Sequence, residues 1–394
     1  EQLSSLLSKA ELQSEEVVER STRLQKVQVR VKKRPQRALG QSIVSAKSIR
    51  RMPNLGEADV VKAIQAMPGV VASSDFSSKI YVRGGSSDQN LFLFDNGVVF
   101  SPVHFFGLFS TFLVEGVDRV EFYKGGFPPR YGNRLSSVVD VQSRLGGDLD
   151  SSEWFHKTSI KVSSFSTQAH TEGHQGDWRW ILAGRVTYLK ETLDLLRALE
   201  LTDLDLNYRF FDLQGNLTWA PDLNRSLMFS WYVGEDKLDF DPFIVSWGNK
   251  VLPVNFQWPL NDDTELKMSY AYSEFNQTFG LSGFIEMIND NSNQMFKPSL
   301  LHTLNRQLLI EAGVEVQNIV AHFAMTQEQA SLAVDDGGDL WLFSPFSQAR
   351  WTPEKWEITA GLRANISTES SEVTAEPRFS VRREIGEKQK IDFH

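Results

Sequence analysis

From Ser226 onward, hydrophobic residues recur at every second position over unusually long stretches. Leu227, Phe229 and Trp231 alternate with Ser226, Met228 and Ser230, and Leu266, Met268, Tyr270 and Tyr272 alternate with Glu265, Lys267, Ser269 and Ala271. Leu308, Ile310, Ala312, Val314 and Val316 share one parity, with Gln307, Glu311, Glu315 and Gln317 on the other, and Ile358, Ala360, Leu362, Ala364 and Ile366 repeat the scheme. A period of two puts one set on each face of a strand. These runs pass the ~9 to 11 residues of a membrane-crossing strand, whereas strands of a soluble sandwich usually stop at about 5 to 6. Polar stretches such as Asn289 to Asn293 and Asp335 to Gly338 are expected to separate neighbouring strands. Residues 145–394 are therefore expected to be antiparallel transmembrane β-strands.

Residues 40–144 have a different texture, that of a compact α+β domain. Gln41 to Ala46 reads as a short strand, and Ser45 or Ser48 can cap a helical turn that stops at Met52-Pro53. Val60, Ala63, Ile64 and Met67 lie on one face of a helix over Gly56 to Pro68, with Glu57 and Asp59 at its N-terminal end. Ile80 to Gly85, Leu91 to Phe94, Val117 to Lys124 and Val138 to Val141 read as strands of a small mixed sheet. Asp95-Asn96-Gly97 is a two-residue hairpin signal, in which Asn-Gly best tolerates the two positive φ angles of a type I′ turn. Gly125-Gly126 and Gly132 mark backbone reversals, with Pro128-Pro129 fixing the path between them.

Composition narrows the chemistry. No run approaches the ~18 apolar residues of a spanning helix, but β-barrel strands average to an ordinary composition such as the 41% hydrophobic and 23% charged fractions found here. The chain has no cysteine, so disulfides and thiolate metal sites are excluded. From Arg20 to Arg51 there are eleven Lys or Arg and no Asp or Glu, against a net charge of -9 overall. This basic arm lacks the interleaved aromatics of a single-strand binder and reads as a solvated linker, with no nucleic-acid partner. Gly84-Gly85 and Gly125-Gly126 are followed by no Gly-Lys-Ser/Thr, no Ser sits in a Gly-x-Ser-x-Gly elbow, and His104 has no second His at metal-ligand spacing. A lone His on a loop is more often a hydrogen-bonding residue than a ligand. No enzyme activity, cofactor or metal is expected. The chain opens at Glu1 with no Met or apolar leader, and the expectation is that any signal peptide has been removed or lies outside this sequence.

Several ordered segments together resemble one family. Pro53 with Gly56 to Val60, Ile64 to Val70 ending Pro68-Gly-Val, Tyr81-Val-Arg-Gly-Gly85, Asp88 to Leu91, His104-Phe-Phe-Gly107 and Tyr123 to Val141 resemble the plug domain of TonB-dependent outer-membrane receptors, with the closest likeness to those common in the Bacteroidota. Asn133 stands where such receptors usually carry a second glycine, and Asn is the best non-glycine tolerator of positive φ. The resemblance implies a plug filling a 22-stranded barrel of the Gram-negative outer membrane, a periplasmic N-terminus, contact with outer-membrane lipid, and uptake of a scarce nutrient ligand energised by the inner-membrane TonB complex. A surface lipoprotein is a further partner of the kind such receptors use. It also implies that outward plug loops touch the ligand, here Gly85, Ser86, Ser87, Asp88 and Gln89, with Ser101, His104 and Phe105. Arg83, Lys124, Arg130 and Arg134 are expected to form a latch on acidic groups of the wall. A TonB box pairs with TonB as an added strand, and Glu16, Val17 and Val18 are the candidates.

The expected layout is a periplasmic lead-in over 1–39, a plug over 40–144 and the N-terminal portion of a barrel over 145–394. Those 250 residues supply roughly ten to twelve strands, and a closed barrel of that size has no room for a plug of a hundred residues. The expectation is an open partial wall, with the remaining strands missing. The leading function is TonB-energised uptake of a metal chelate, oligosaccharide, peptide or cobalamin-like ligand. The alternative is a non-transporting adhesion or assembly scaffold built on a plugged barrel.

Overall fold

The computed structural model describes residues 40–52, 57–72, 79–147, 153–281, 284–327, 332–370, 372–384 and 390–393. The candidate TonB-contact residues Glu16, Val17 and Val18 lie outside the described residues.

The first part is a small α+β domain around a five-stranded sheet, in the order Gln41–Ser45, Val117–Tyr123, Ser137–Ser143, Asn90–Phe94, Gly97–Val98. Neighbours are antiparallel except Asn90–Phe94, which runs parallel to Ser137–Ser143. Ser45 caps the helix Ala46–Ile49, its hydroxyl accepting from the Ser48 N–H. The helix Val60–Gln65 buries Val60, Val61, Ala63 and Ile64 against the core, and Asp59 caps it at 2.8 Å from the Lys62 N–H. It starts later than the apolar spacing predicts because extended backbone at Asp59 ends the helix there. Ile80–Val82 pairs with Val70–Ala72 rather than joining the main sheet. The hairpin turn is offset by one residue. Phe94 pairs with Gly97, so the two positive-φ centres are Asp95 and Asn96, not Asn96-Gly97. Asn133 has φ +62, the left-handed backbone anticipated for it.

The second part is a thirteen-stranded sheet in chain order, from Phe155–Val162 to Lys390–Phe393. Every neighbouring pair is antiparallel. Its first and last strands do not pair with each other among the described residues, so the sheet is an open wall. Thirteen strands exceed the ten to twelve expected because connections such as Gly176-Asp177 and Asp241-Pro242 use only two residues. One helix that the alternation did not reveal, Leu189–Ala198, lies in the connection between Trp178–Thr187 and Asn207–Trp219.

The two faces of the wall are chemically opposite. Leu217, Leu227, Phe229, Leu300, Phe343, Leu362 and Ile366 point outward and are each 41% to 50% exposed, while Gln214, Asn216, Ser230, Ser273, Ser344 and Arg363 point at the inner domain and are buried. Outward Trp178, Trp219, Trp258, Trp351 and Trp356 sit at the ends of their strands beside the turns at 176–177, 220–225, 260–263 and 352–355. They form an interfacial aromatic belt, and Trp219 stacks on Trp258 with centroids 6.3 Å apart. On the strand Leu332–Trp351, Trp341 stands ten residues above Trp351 on the same face. At about 3.3 Å per residue and a tilt near 40°, that separation is about 25 Å, the height of the apolar band of an outer-membrane barrel.

The polar stretches expected to separate strands lie within them. Asn289 to Asn293 is inside Ile285–Thr303 and Asp335 to Gly338 is inside Leu332–Trp351. Ladder pairing continues past the apolar band, where both faces are wet and alternation no longer marks the strand. Val314→Lys, on the outward face within the band, is expected to lower the unfolding free energy of the full-length protein in lipid vesicles by about 2–4 kcal/mol, and Thr326→Lys, beyond it, by about 1 kcal/mol at most. Denaturant titration measures both, and equal costs would contradict this position of the band.

Candidate functional site: the interface between inner domain and wall

The inward face of the wall is polar because it closes on the inner domain, and burial there requires each charge to find a partner. The largest cluster centres on His104. The strand Val103–His104 places its ring between two wall carboxylates, Nδ1 at 2.6 Å from Asp236 and Nε2 at 2.7 Å from Asp212, with the residue 1% exposed. Burial disfavours the imidazolium, but the Asp212 and Asp236 charges outweigh it and push the His104 pKa up to about 9. Phe210 stacks on the ring at 4.2 Å. Tyr208 donates to Asp236, Tyr232 donates to Asp212 at 2.7 Å, and Arg185 donates to the other Asp212 oxygen at 2.7 Å.

Arg185 carries the cluster back to the inner domain. Its guanidinium also donates to Glu57 at 2.8 Å and to the Ser110 carbonyl at 2.7 Å, and Glu57 accepts from Ser166. Glu57 is therefore a bridging residue rather than a helix-terminal charge. Nearby, Arg144 pairs with Glu172, Lys161 with Glu115, and Gln214 accepts from the Leu113 N–H at 3.0 Å.

A second cluster lies on the wall strands further along. Arg363, fully buried, donates to Glu315 at 2.8 Å and to the Pro129 carbonyl at 3.3 Å, and Lys297 stands 3.5 Å from Glu315. Arg378 donates to the carbonyls of Phe127, Pro128 and Tyr131 at 2.7–2.9 Å. Between the clusters the hairpin tip docks. Asn96 donates to Asn255 at 2.9 Å, Asn255 donates to the Asp95 carbonyl at 2.9 Å, and Ser230 donates to the Asp95 carboxylate at 2.7 Å. Burial pushes the Asp95 carboxyl up to about 6, against the opposing hydrogen bonds from Ser143 and Ser230.

The residues expected at the site fare unequally. Gly85, Ser86, Ser87, Asp88 and Gln89 stay together on one loop, with Ser86 and Asp88 exposed and no wall residue among the described residues bonded to them. Ser101 and Phe105 are instead docked on the wall. Asn249 brackets Ser101 through bonds of 3.1 and 2.7 Å, and the Phe105 N–H donates to the Tyr208 hydroxyl at 2.7 Å. His104, grouped with them as a ligand contact, has both ring nitrogens committed to the wall. Of the four basic residues expected as a latch, Arg130 meets a wall carboxylate, Glu311 at 3.5 Å. Lys124 and Arg134 bond to inner-domain carbonyls, those of Pro68 and Asn133, and Arg83 is exposed. Contact across the interface runs with both polarities: His104, Arg130 and Arg144 of the inner domain meet wall carboxylates, while the wall's Arg185 and Lys161 meet Glu57 and Glu115, and its Arg363 and Arg378 meet inner-domain carbonyls. Among the described residues, no group of His, Asp and Glu converges as a metal site.

Residues 36–139 match the TonB-dependent Receptor Plug Domain family. These residues form a TonB-dependent receptor plug domain. With the wall, the plug has the fold of the outer-membrane receptors of that class, and the apolar band places the chain in the outer membrane. The siderophore receptor PirA from Pseudomonas aeruginosa is similar at a TM-score of 0.63 and 16% identity, over 91% of this chain and 61% of that one. The alcaligin outer-membrane receptor FauA from Bordetella pertussis gives 0.64 and 15%, over 88% and 60%. The ferric citrate transporter FecA, in its unliganded form, gives 0.63 and 12%, over 89% and 61%. The chain thus spans about three-fifths of the length of each. No curated protein sequence matches it.

Because the folded-state pKa of His104 lies above the ~6.5 of an unfolded histidine, its stabilisation is complete below pH ~6.5 and is lost as pH rises through 9. His104→Gln is expected to cost about 3 kcal/mol at pH 6 and to abolish the decline of stability between pH 7 and 9.5, read from urea midpoints of the full-length protein. Arg185→Ala, which strands Asp212 and Glu57, is expected to cost about 3–5 kcal/mol at either pH. A decline that persists unchanged in His104→Gln would show that another group titrates.

Proposed function

We propose that this chain is the plug and first part of the barrel of a receptor that carries a scarce nutrient across the outer membrane with energy from TonB. The observation that carries the reading is a plug-family domain held by buried charges against a wall that is apolar outside and polar inside. Such packing suits a movable closure, since buried ion pairs add little net stability over apolar packing but are costly to break singly. In this reading residues 1–39 are a periplasmic lead-in, 40–144 the plug and 145–394 the N-terminal portion of a larger barrel.

The structures it is similar to include receptors or transporters for siderophores, ferric citrate and alcaligin, which favours a polar metal chelate as the solute class. Gly85 to Gln89, whose Ser86 and Asp88 are exposed, form the plug loop that meets it. Ser101, His104 and Phe105 lie on a separate segment that is docked on the wall and anchors the plug beside it. Glu16, Val17 and Val18 pair with TonB as an added strand.

Replacing Val17 and Val18 with proline removes the donors such a strand needs. Growth of cells that depend on this receptor under iron limitation is expected to fall to the level of a strain lacking TonB, with receptor abundance unchanged. Growth that is the same with and without TonB, in every limiting nutrient tested, would favour the non-transporting scaffold.

A further inference from the structure

Below the hairpin tip lies a cavity of about 500 Å³ between the plug sheet and six wall strands, from Asn207–Trp219 to Leu308–Gln327. Its wall positions, among them Thr218, Ser226, Gln257, Lys267, Ser299 and Glu311, sit at the strand ends that carry the aromatic belt and the short turns. That is the periplasmic end. The lining mixes apolar Leu145, Met228 and Phe256 with a balanced set of charges, in which Asp95, Glu121, Asp140 and Glu311 accompany Arg119, Arg130, Lys267 and Lys297. Asp140 is 3% exposed, and one of its carboxylate oxygens has no hydrogen-bond donor, so the cavity holds an unmet demand for a polar occupant.

The tip closes this space from above. Asp95 and Asn96 line the cavity, and one level up Gly97 lies against Val251 so closely that a β-carbon would collide with it, with Ala271 in contact beside it. Above the tip, Phe100 faces Phe275 and Ser101 is held by Asn249. A thin seal therefore separates the outer side of the plug from a polar chamber on the inner side. It consists of the Asn96–Asn255 bond, the Asp95 contacts and bare backbone at Gly97.

We propose that the Asp95-Asn96-Gly97 tip is the gate, and the cavity beneath it the exit chamber, for a hydrated, hydrophilic solute passing between plug and wall. This deepens the uptake reading, on which it rests. Opening needs only the tip to lift from Asn255 and Ser230, leaving the His104 and Arg363 clusters in place. The balanced charges of the chamber then pass a solute of either sign without trapping it.

The test uses the full-length protein in liposomes and L-arabinose as the probe, so it requires neither the natural ligand nor TonB. Asn96→Ala with Asn255→Ala is expected to raise the rate of arabinose-driven swelling several-fold over wild type. Asn133→Ala with Gln317→Ala, which removes a plug–wall bond of 3.0 Å elsewhere, should leave that rate unchanged. These 394 residues contain no cysteine, so in full-length protein with any cysteine beyond them replaced by serine, Asn96→Cys with Asn255→Cys can be oxidised selectively. The cross-link should hold swelling at the wild-type rate and block TonB-dependent growth until a reductant is added. Heat-modifiable electrophoretic mobility confirms that each variant is folded. No leak in the alanine pair, an equal leak in the control pair, or normal growth with the cross-link formed would each overturn the proposal. None of these outcomes touches the dependence of wild-type growth on TonB, which decides the uptake reading separately.

Discussion

The structure depends on burying a polar surface against a polar surface. A barrel strand that shows lipid one face must turn the other inward, and that face is filled here by Asp212, Asn216, Ser230, Asp236, Glu315 and Arg363. The plug is shaped to satisfy those groups. His104 bridges two wall carboxylates, Arg185 is shared between Asp212 and Glu57, and plug carbonyls take up Arg363 and Arg378. Apolar packing also joins the two parts: Tyr232 and Val251 extend the plug core into the wall, and Phe100, Phe105 and Phe109 meet Phe275, Tyr208, Phe165 and Phe210.

This arrangement separates two requirements that a membrane closure has to meet. The plug folds around its own core of Val60, Ile64, Phe94, Val117, Phe122 and Val139, all essentially inaccessible to solvent. Its attachment to the wall is instead largely hydrogen-bonded and ionic, and water can replace those bonds group by group. The plug core depends on the wall only where Tyr232 and Val251 complete it.

Much of the fold was legible because it rests on periodicity. The parity of Leu308 to Val316 and of Ile358 to Ile366 identifies the lipid face directly, and Asn133 could be read from its tolerance of positive φ. The limits were equally physical. Beyond the apolar band both faces of a strand are wet, so Asn289 to Asn293 and Asp335 to Gly338 look like loops although their ladders continue. The site was less legible than the fold. Asp212, Asp236 and Arg363 stand at inward positions where any polar residue fits, so nothing local distinguishes a partner in a clamp from ordinary lumen polarity. His104 carried a visible hint as a lone histidine suited to hydrogen bonding, but its two partners lie 108 and 132 residues away in sequence. Arg83, Lys124 and Arg134 share a sign with Arg130 but not its position facing the wall.

Gly97 has a bearing beyond the hairpin. Bare backbone recurs where the two parts meet: Gly97 under Val251, Gly132 under the Arg363 guanidinium, Gly361 under Pro129 and Gly116 under Gln214. At each, a projection from one part enters a notch in the other, and the notches occur on both partners. Four such interlocks spread around the interface index the plug like a key, fixing its azimuth within the wall. The plug therefore fits this part of the wall in one orientation, the one that brings the paired charges together.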